Sequence, residues 1–212
     1  MIEHYDWAGG REAMLRFGPD RGPVVLAALP LFEEANRTRT FVVTMLRRLA
    51  ELGIAGALPD LPGQGESLVR TADLRLADLR SAFAAAARSA GPQPLAIAVR
   101  SGALIDGAAE LAGRWHFAPQ SGAELRRELG RVREAGGGRD FAGNEVSDAL
   151  LAELEGAMPE PARTVRLATD AKEAAAHVPG APLWRRAEPD NDRALAALLA
   201  DDIAAWVRAC ES

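Results

Sequence analysis

The run Pro94-Leu-Ala-Ile-Ala-Val-Arg-Ser-Gly-Ala103 constrains this chain more than any other. A five-residue apolar stretch passes directly into a corner of small residues, and a helical pattern follows to Leu111. That order predicts a buried strand, a sharp elbow and a helix. Elbows that present a nucleophile follow a small-x-nucleophile-x-small pattern, because only small neighbours let the backbone turn beneath a residue held at positive φ. Centring the pattern on Arg100 places Ala98 and Gly102 at the small positions. Centring it on Ser101 places branched Val99 where crowding is worst. The sterics favour Arg100, whose guanidinium stays protonated and cannot attack a carbonyl.

The rest of the chain repeats the same kind of unit. Residues 2–7 and 13–17 flank Gly9-Gly10 and read as an antiparallel edge pair. Residues 24–29 and 54–58 are short, continuously apolar runs, the mark of strands covered on both faces. Between them, Phe41, Met45, Leu46, Leu49 and Leu52 form one face of a helix over residues 37–52. Residues 74–90 form an alanine-rich helix ended by Gly91-Pro92, and residues 114–117 a further strand. Strands alternating with helices make βαβ units and a mostly parallel sheet. Residues 119–161 break the rhythm with two helices, at 123–135 and 146–154, joined through Gly136-Gly-Gly138. Such an insertion at the carboxyl side of a sheet is expected to be a lid with a mobile hinge. The pattern resumes with a strand at 164–168, a short helix at 171–176, a last strand at 183–185 and a closing helix at 193–208. No linker divides the chain, so residues 1–212 are expected to form one domain.

Composition narrows the partners. A hydrophobic content of 48% suits a globular core, and a net charge of −5 with dispersed basic residues argues against nucleic acid or an anionic membrane as partner. The chain shows neither a leader pattern nor an 18-residue apolar run, so a cytoplasmic protein without membrane insertion is expected. Cys210 stands alone and no metal-ligand spacing surrounds it, so neither disulfide, metal nor cofactor is called for. Asp60 with Gly63 and Gly65 lacks the lysine of a phosphate loop, and the glycines read as turn formers. Nothing in the sequence sets the oligomeric state.

Several separate stretches resemble one group within the α/β hydrolases, the exosortase A system-associated hydrolase 2 proteins found beside bacterial exopolysaccharide and protein-sorting genes. Pro30-Leu-Phe-Glu-Glu-Ala-Asn-Arg37 is similar to that group's Pro-Phe-x-Glu-Glu-x-Asn-Lys segment. Leu58-Pro-Asp-Leu-Pro-Gly-Gln-Gly-Glu-Ser67 is similar to its Asp-Leu-Pro-Gly-x-Gly-x-Ser loop, and Val99-Arg-Ser-Gly-Ala103 to its Leu-Arg-Leu-Gly-Ala elbow. Pro119-Gln-Ser-Gly122, Phe141-Ala-Gly-Asn-Glu-Val-Ser147 and Pro182-Leu-Trp184 extend the likeness more weakly through the lid and last strand. The resemblance implies an α/β-hydrolase fold, a mostly parallel twisted sheet flanked by helices with a small helical lid over residues 119–161.

It does not bring an intact triad. Asp170 stands where an acid follows a strand, but the loop Glu188-Pro-Asp-Asn-Asp192 has no histidine. His4, His116 and His177 fall in the edge hairpin, a strand and the segment before the final strand. Without a base, a serine hydroxyl is a poor nucleophile. The first expectation is therefore a non-catalytic binder of a small anionic or acyl-type molecule, or of a protein partner. Its pocket is formed by Arg100, Leu31, Phe32, Glu33, Glu34 and Asn36. Backbone N–H groups of Leu31, Phe32 and Ser101 are available to an anion, and Arg100 pairs with Glu34 or Glu33. The alternative is a serine esterase or thioesterase using Ser101, Asp170 and a histidine from an unexpected loop. A third is a structural partner of a sorting or polysaccharide assembly. On plainer readings Ser101 caps the following helix, Asp170 caps the 171–176 helix, and the run Leu125–Glu134 is a solvated lid surface.

Overall fold

The computed structural model describes residues 1–136, 141 and 143–211. Its described residues build an eight-stranded sheet in the order β1-β2-β4-β3-β5-β6-β7-β8. The strands are β1 (Ile2–Trp7), β2 (Gly10–Phe17), β3 (Val24–Ala28), β4 (Ala55–Pro59), β5 (Leu95–Val99), β6 (Gly113–Phe117), β7 (Arg163–Leu167) and β8 (Ala176–Val178). β1 pairs antiparallel with β2 and β2 with β4, while the remaining neighbours are parallel. The helices are α1 (Glu33–Glu51), α2 (Leu76–Ala90), α3 (Gly122–Gly136), α4 (Asp148–Glu155) and α5 (Arg193–Cys210).

Side chains alternate across the sheet with a difference in size that explains the layering. Leu26, Ala28, Ala57, Ala96 and Ala98 face α2, whose own packing surface is Ala82, Phe83 and Ala86. Alanine against alanine lets helix and sheet approach closely. On the opposite face Val25, Leu58, Ile97, Val99, Trp115, Phe117 and Val165 fill the wider space under α1 and α5. Trp115 and Phe117 stack at 6.4 Å, and Trp184 meets Phe117 edge-on at 5.8 Å. The Trp115 indole N–H donates to Asp202 on α5 at 2.7 Å, so the largest core side chain has its one polar atom satisfied.

The order places the crossover point between β3 and β5. From β3 the chain passes through α1 to β4 on one side, then through α2 to β5 on the other. The carboxyl ends of β3 and β5, aligned with Ala28 opposite Ala98, therefore open a crevice. Three positive-φ non-glycine residues stand around that crevice: Phe32 after β3 (φ 60°), Arg100 after β5 (φ 54°) and Ala118 after β6 (φ 48°).

The carboxyl-terminal third departs from the sequence reading. Residues 171–176 form no helix, because Ala168 N–H donates to Val178 and Ala175 N–H to Thr164, which draws the segment onto β7 and makes Ala176–Val178 the edge strand. His177 thus lies within the last strand. Residues Leu183–Arg185 form a 3-10 turn rather than a strand. Beyond β5 the expected helix is replaced by two short 3-10 turns, Arg100–Leu104 and Asp106–Ala108. Arg80 donates to the Leu104 carbonyl and Arg114 to those of Asp106 and Ala109, satisfying groups a longer helix would have bonded internally. The segment Asp60–Ser67 is a turn, with Glu66 N–H on the Asp60 carboxylate and Arg39 paired to it at 2.8 Å. No described helix is long and apolar enough to cross a membrane.

Candidate functional site

Arg100 occupies the apex of the elbow, in the register that sterics favoured. Gly102 must be glycine there, since a Cβ would lie 2.5 Å from the Ala28 carbonyl oxygen and 2.7 Å from that of Leu29. The Arg100 guanidinium is nearly buried and meets two carboxylates. Nε and Nη2 donate to Glu34 at 3.3 and 3.4 Å, and Nη2 donates to both oxygens of Glu128 at 2.9 and 3.0 Å. Its carbon lies 4.8 Å from the centre of the Trp184 ring. The pair with Glu34 is the one expected from the sequence; Glu128, on α3, was not foreseen. Gln120 donates to Glu128 at 2.7 Å, tying the same carboxylate to the end of the β6 loop. Burial pushes the Glu34 carboxyl above its ordinary pKa, the Arg100 guanidinium opposes this, and the nearby Glu128 charge adds to the rise.

Ser101 is fully buried, and its Oγ accepts the Leu31 N–H at 2.9 Å. It therefore neither caps a helix nor faces the crevice, and it occupies the Leu31 N–H expected to be available to an anion. Asp170 lies in the crevice wall but caps no helix; its carboxylate accepts from Arg166 at 2.7 Å and from Lys172 N–H at 3.1 Å. Partial burial pushes the Asp170 carboxyl up, but the Lys172 N–H and the Arg166 guanidinium outweigh it and hold it low. His177 is exposed and its Nε2 sits 3.1 Å from the backbone carbonyls of Asp170 and Lys172. His116 is buried against Asp106 at 2.8 Å, and His4 is exposed on the edge strand. No histidine lines the crevice or hydrogen-bonds Ser101 among the described residues. The set Ser101, Asp170 and histidine is not assembled.

The crevice is divided in two. A polar cavity of about 360 Å³ is lined by Arg100, Arg127, Arg131, Arg166, Lys172 and Arg185 together with the three carboxylates Glu124, Glu128 and Asp170. An apolar cavity of about 390 Å³ lies beside it, bounded by Leu31, Phe32, Leu125, Leu129, Val132 and Phe141. Glu33 and Glu34 also line the apolar cavity, as expected of pocket residues, whereas Asn36 is exposed on α1 and lines neither. Glu128, Arg131, Trp184 and Arg185 belong to both walls.

Helix α3 is the roof of both: Arg126, Arg127, Arg131, Arg133 and Glu134 are exposed, as expected of a solvated lid surface, while Leu125 and Leu129 turn inward, which that reading did not include. Glu124, Arg127, Glu128 and Arg131 line the polar cavity; Leu125, Glu128, Leu129 and Val132 line the apolar one, with Arg131 reaching it from the edge. Each set has the i, i+3, i+4, i+7 spacing of one helix face, and the two are offset by one residue. Lys172 is paired with Glu124 and Arg126 with Glu155, so α3 is fastened at its start to the β7–β8 loop and to α4. The expected hinge Gly136-Gly-Gly138 lies largely outside the described residues.

The architecture is the α/β-hydrolase fold, with α3 and α4 over the carboxyl end of the sheet. No family model matches the chain, and no curated protein is similar to it. Solved structures share the fold at low identity. A thermophilic esterase from Thermogutta terrifontis, with malate bound, aligns over 100% of both chains at 16% identity and a TM-score of 0.57. The bottromycin epimerase BotH, in complex with bottromycin A2, aligns over 97% of this chain and 99% of its own at 13% identity and a TM-score of 0.60. A longer epoxide hydrolase from Vigna radiata is matched over only 40% of its length, at 20% identity and a TM-score of 0.45.

Proposed function

We propose that this protein is a non-catalytic α/β-hydrolase-fold receptor for a small anionic molecule, held in the crevice beneath α3. The observation that carries the reading is the elbow: its apex is a paired arginine, and the adjacent serine hydroxyl is sealed under the sheet end on the Leu31 N–H. A fold of this kind does not by itself fix a chemistry, so function rests on the site. Six cations against three carboxylates give the polar cavity a positive surplus in a chain whose net charge is −5. Arg127, Arg131 and Arg185 are exposed and, among the described residues, in no ion pair, which leaves them for a ligand. The similarity of the elbow and neighbouring loops to exosortase A system-associated hydrolase 2 proteins supports a role beside bacterial exopolysaccharide or protein-sorting systems.

The test has two arms. A panel of short and medium acyl esters, with wild type and Ser101→Ala compared, is expected to show no serine-dependent turnover; Ser101→Ala should instead lower stability by about 1–3 kcal/mol, the cost of orphaning the buried Leu31 N–H. Thermal unfolding with inorganic phosphate and short carboxylates should show stabilisation that Arg131→Glu weakens. Ester turnover abolished by Ser101→Ala would instead establish a serine hydrolase using Ser101.

A further inference from the structure

We infer that the two cavities hold one ligand, an amphiphile whose anionic head lies among Arg127, Arg131 and Arg185 and whose aliphatic tail enters the apolar cavity. The inference rests on the anion-receptor reading and names the ligand class for the same site. Three observations lead to it. The cavities share the walls Glu128, Arg131, Trp184 and Arg185, so they lie directly side by side. Each volume lies at the small end of the range for small-molecule sites, and together they suit an elongated guest. The single helix α3 offers Glu124, Arg127, Glu128 and Arg131 to one cavity and Leu125, Leu129 and Val132, with the shared Glu128 and Arg131, to the other, so head and tail are sorted by adjacent faces of one helix.

The charges also set the direction. The acids bounding the apolar cavity are already engaged: Glu33 with Arg37, and Glu34 and Glu128 with Arg100. An anionic head placed there would meet three carboxylates whose cations are taken. Toward the polar cavity it meets Arg127 together with Arg131 and Arg185 of the shared wall, which among the described residues are in no ion pair. An aliphatic tail has the opposite preference, since Leu31, Phe32, Leu125 and Leu129 are apolar and largely buried. The head chemistry is a carboxylate or a phosphate monoester, and both are recognised by arginine forks.

The experiment is calorimetric titration of the intact protein with n-alkyl carboxylates, n-alkyl phosphates and the matching alcohols, from two to ten carbons. Kd should fall about fourfold per added methylene until the apolar cavity is filled. Alcohols should bind at least tenfold more weakly than acids of equal length. The series with the lower Kd at equal length identifies the head as carboxylate or phosphate. Arg131→Glu, at an exposed position, should weaken every acid at least tenfold; Val132→Ser, which adds no charge beside Arg131, should flatten the length dependence. Affinity independent of chain length, with short anions still bound, would overturn the amphiphile and leave the anion receptor standing. Alcohols binding as tightly as acids would also overturn it. Loss of all anion binding would remove both readings. The wild-type series alone decides the matter if Val132→Ser destabilises α3.

Discussion

Replacing Arg100 by alanine removes the cation from between two carboxylates, and the structure sets how much that should cost. Truncating one member of a buried ion pair costs about 3–5 kcal/mol, because the partner is left charged and unsolvated. Glu34 comes near that limit, with its side chain 16% exposed; Glu128, at 31%, can turn toward water, where such pairs are worth about 0–1 kcal/mol. Loss of the contact with the Trp184 ring adds about 0.5–1 kcal/mol. The expected loss at neutral pH is about 3 kcal/mol, at the lower end of the buried range. Arg100→Ala with Glu34→Gln should recover about 2 kcal/mol relative to the sum of the single changes, because no carboxylate is then stranded. Arg100→Gly separates charge from backbone: it loses the same pairs but relieves the left-handed conformation, worth about 1–2 kcal/mol, and should be the milder variant. Folded Glu34 binds its proton more tightly than the unfolded chain does. Its contribution to stability therefore falls as pH rises from the ordinary carboxylate range through its raised value. Glu34→Gln should remove that dependence, and the cost of Arg100→Ala should shrink at mildly acid pH. Equilibrium urea unfolding across pH measures all of these. Single changes that add to within about 0.5 kcal/mol would refute the reasoning.

Two further substitutions test the scaffold. Gly102→Ala forces a Cβ against the carbonyls of Ala28 and Leu29, so it should lower stability by at least 1–3 kcal/mol, about the cost of overpacking. Gly130→Ala, inside α3 with nothing within 4 Å of the added carbon, should raise it by about 0.5–1 kcal/mol in thermal unfolding. Asp202→Ala orphans the Trp115 indole and the Arg163 guanidinium, which it holds at 2.7 Å each, and should cost about 1–3 kcal/mol. Partial burial pushes the Asp202 carboxyl up, but Arg163 and Trp115 outweigh this and hold it low. The stability Asp202 contributes is therefore present above the ordinary carboxylate range and lost as pH falls through its lowered value, a loss that should disappear in Asp202→Ala.

What was legible in the sequence was what local pattern controls. The strands at 24–28, 55–59 and 95–99 are short apolar runs bounded by turns, and α1, α2 and α5 carry a 3.6-residue periodicity, so both could be read directly. The region after β7 could not, because its alanines would serve a helix as well as a strand. The choice was made by hydrogen bonds to Thr164 and from Ala168, partners fixed only by the fold. The site was legible where sterics spoke, at Arg100 and Gly102, and illegible where burial decided. Ser101 differs from an exposed serine only by lying beside the Leu31 N–H. In α3 the sequence carries two stripes one residue apart, one of charged residues and one mainly of Leu125, Leu129 and Val132, a pattern that the near balance of glutamates and arginines along the run conceals until they are placed around the helix.

The backbone supplies the last step. Phe32, at φ 60° and ψ −135°, stands in a region that almost only glycine visits, and Arg100 in the left-handed region disfavours a Cβ by about 1–2 kcal/mol. Glycine at either place would remove the strain, and the flanking sequence supplies glycine freely where turns need it, at Gly63 and Gly65 for example. The two residues share only their place, at the carboxyl ends of neighbouring strands β3 and β5. Each side chain enters the crevice: Phe32 floors the apolar cavity, and Arg100 holds Glu34, Glu128 and Trp184 at the partition. Strain of this kind persists where surrounding contacts over-determine it, as those of Phe32 and Arg100 at the crevice do. It follows that relieving both at once, Phe32→Gly with Arg100→Gly, should open the partition and weaken binding of a long-chain anion more than that of a short one. Equal weakening of the two would place the strain outside recognition.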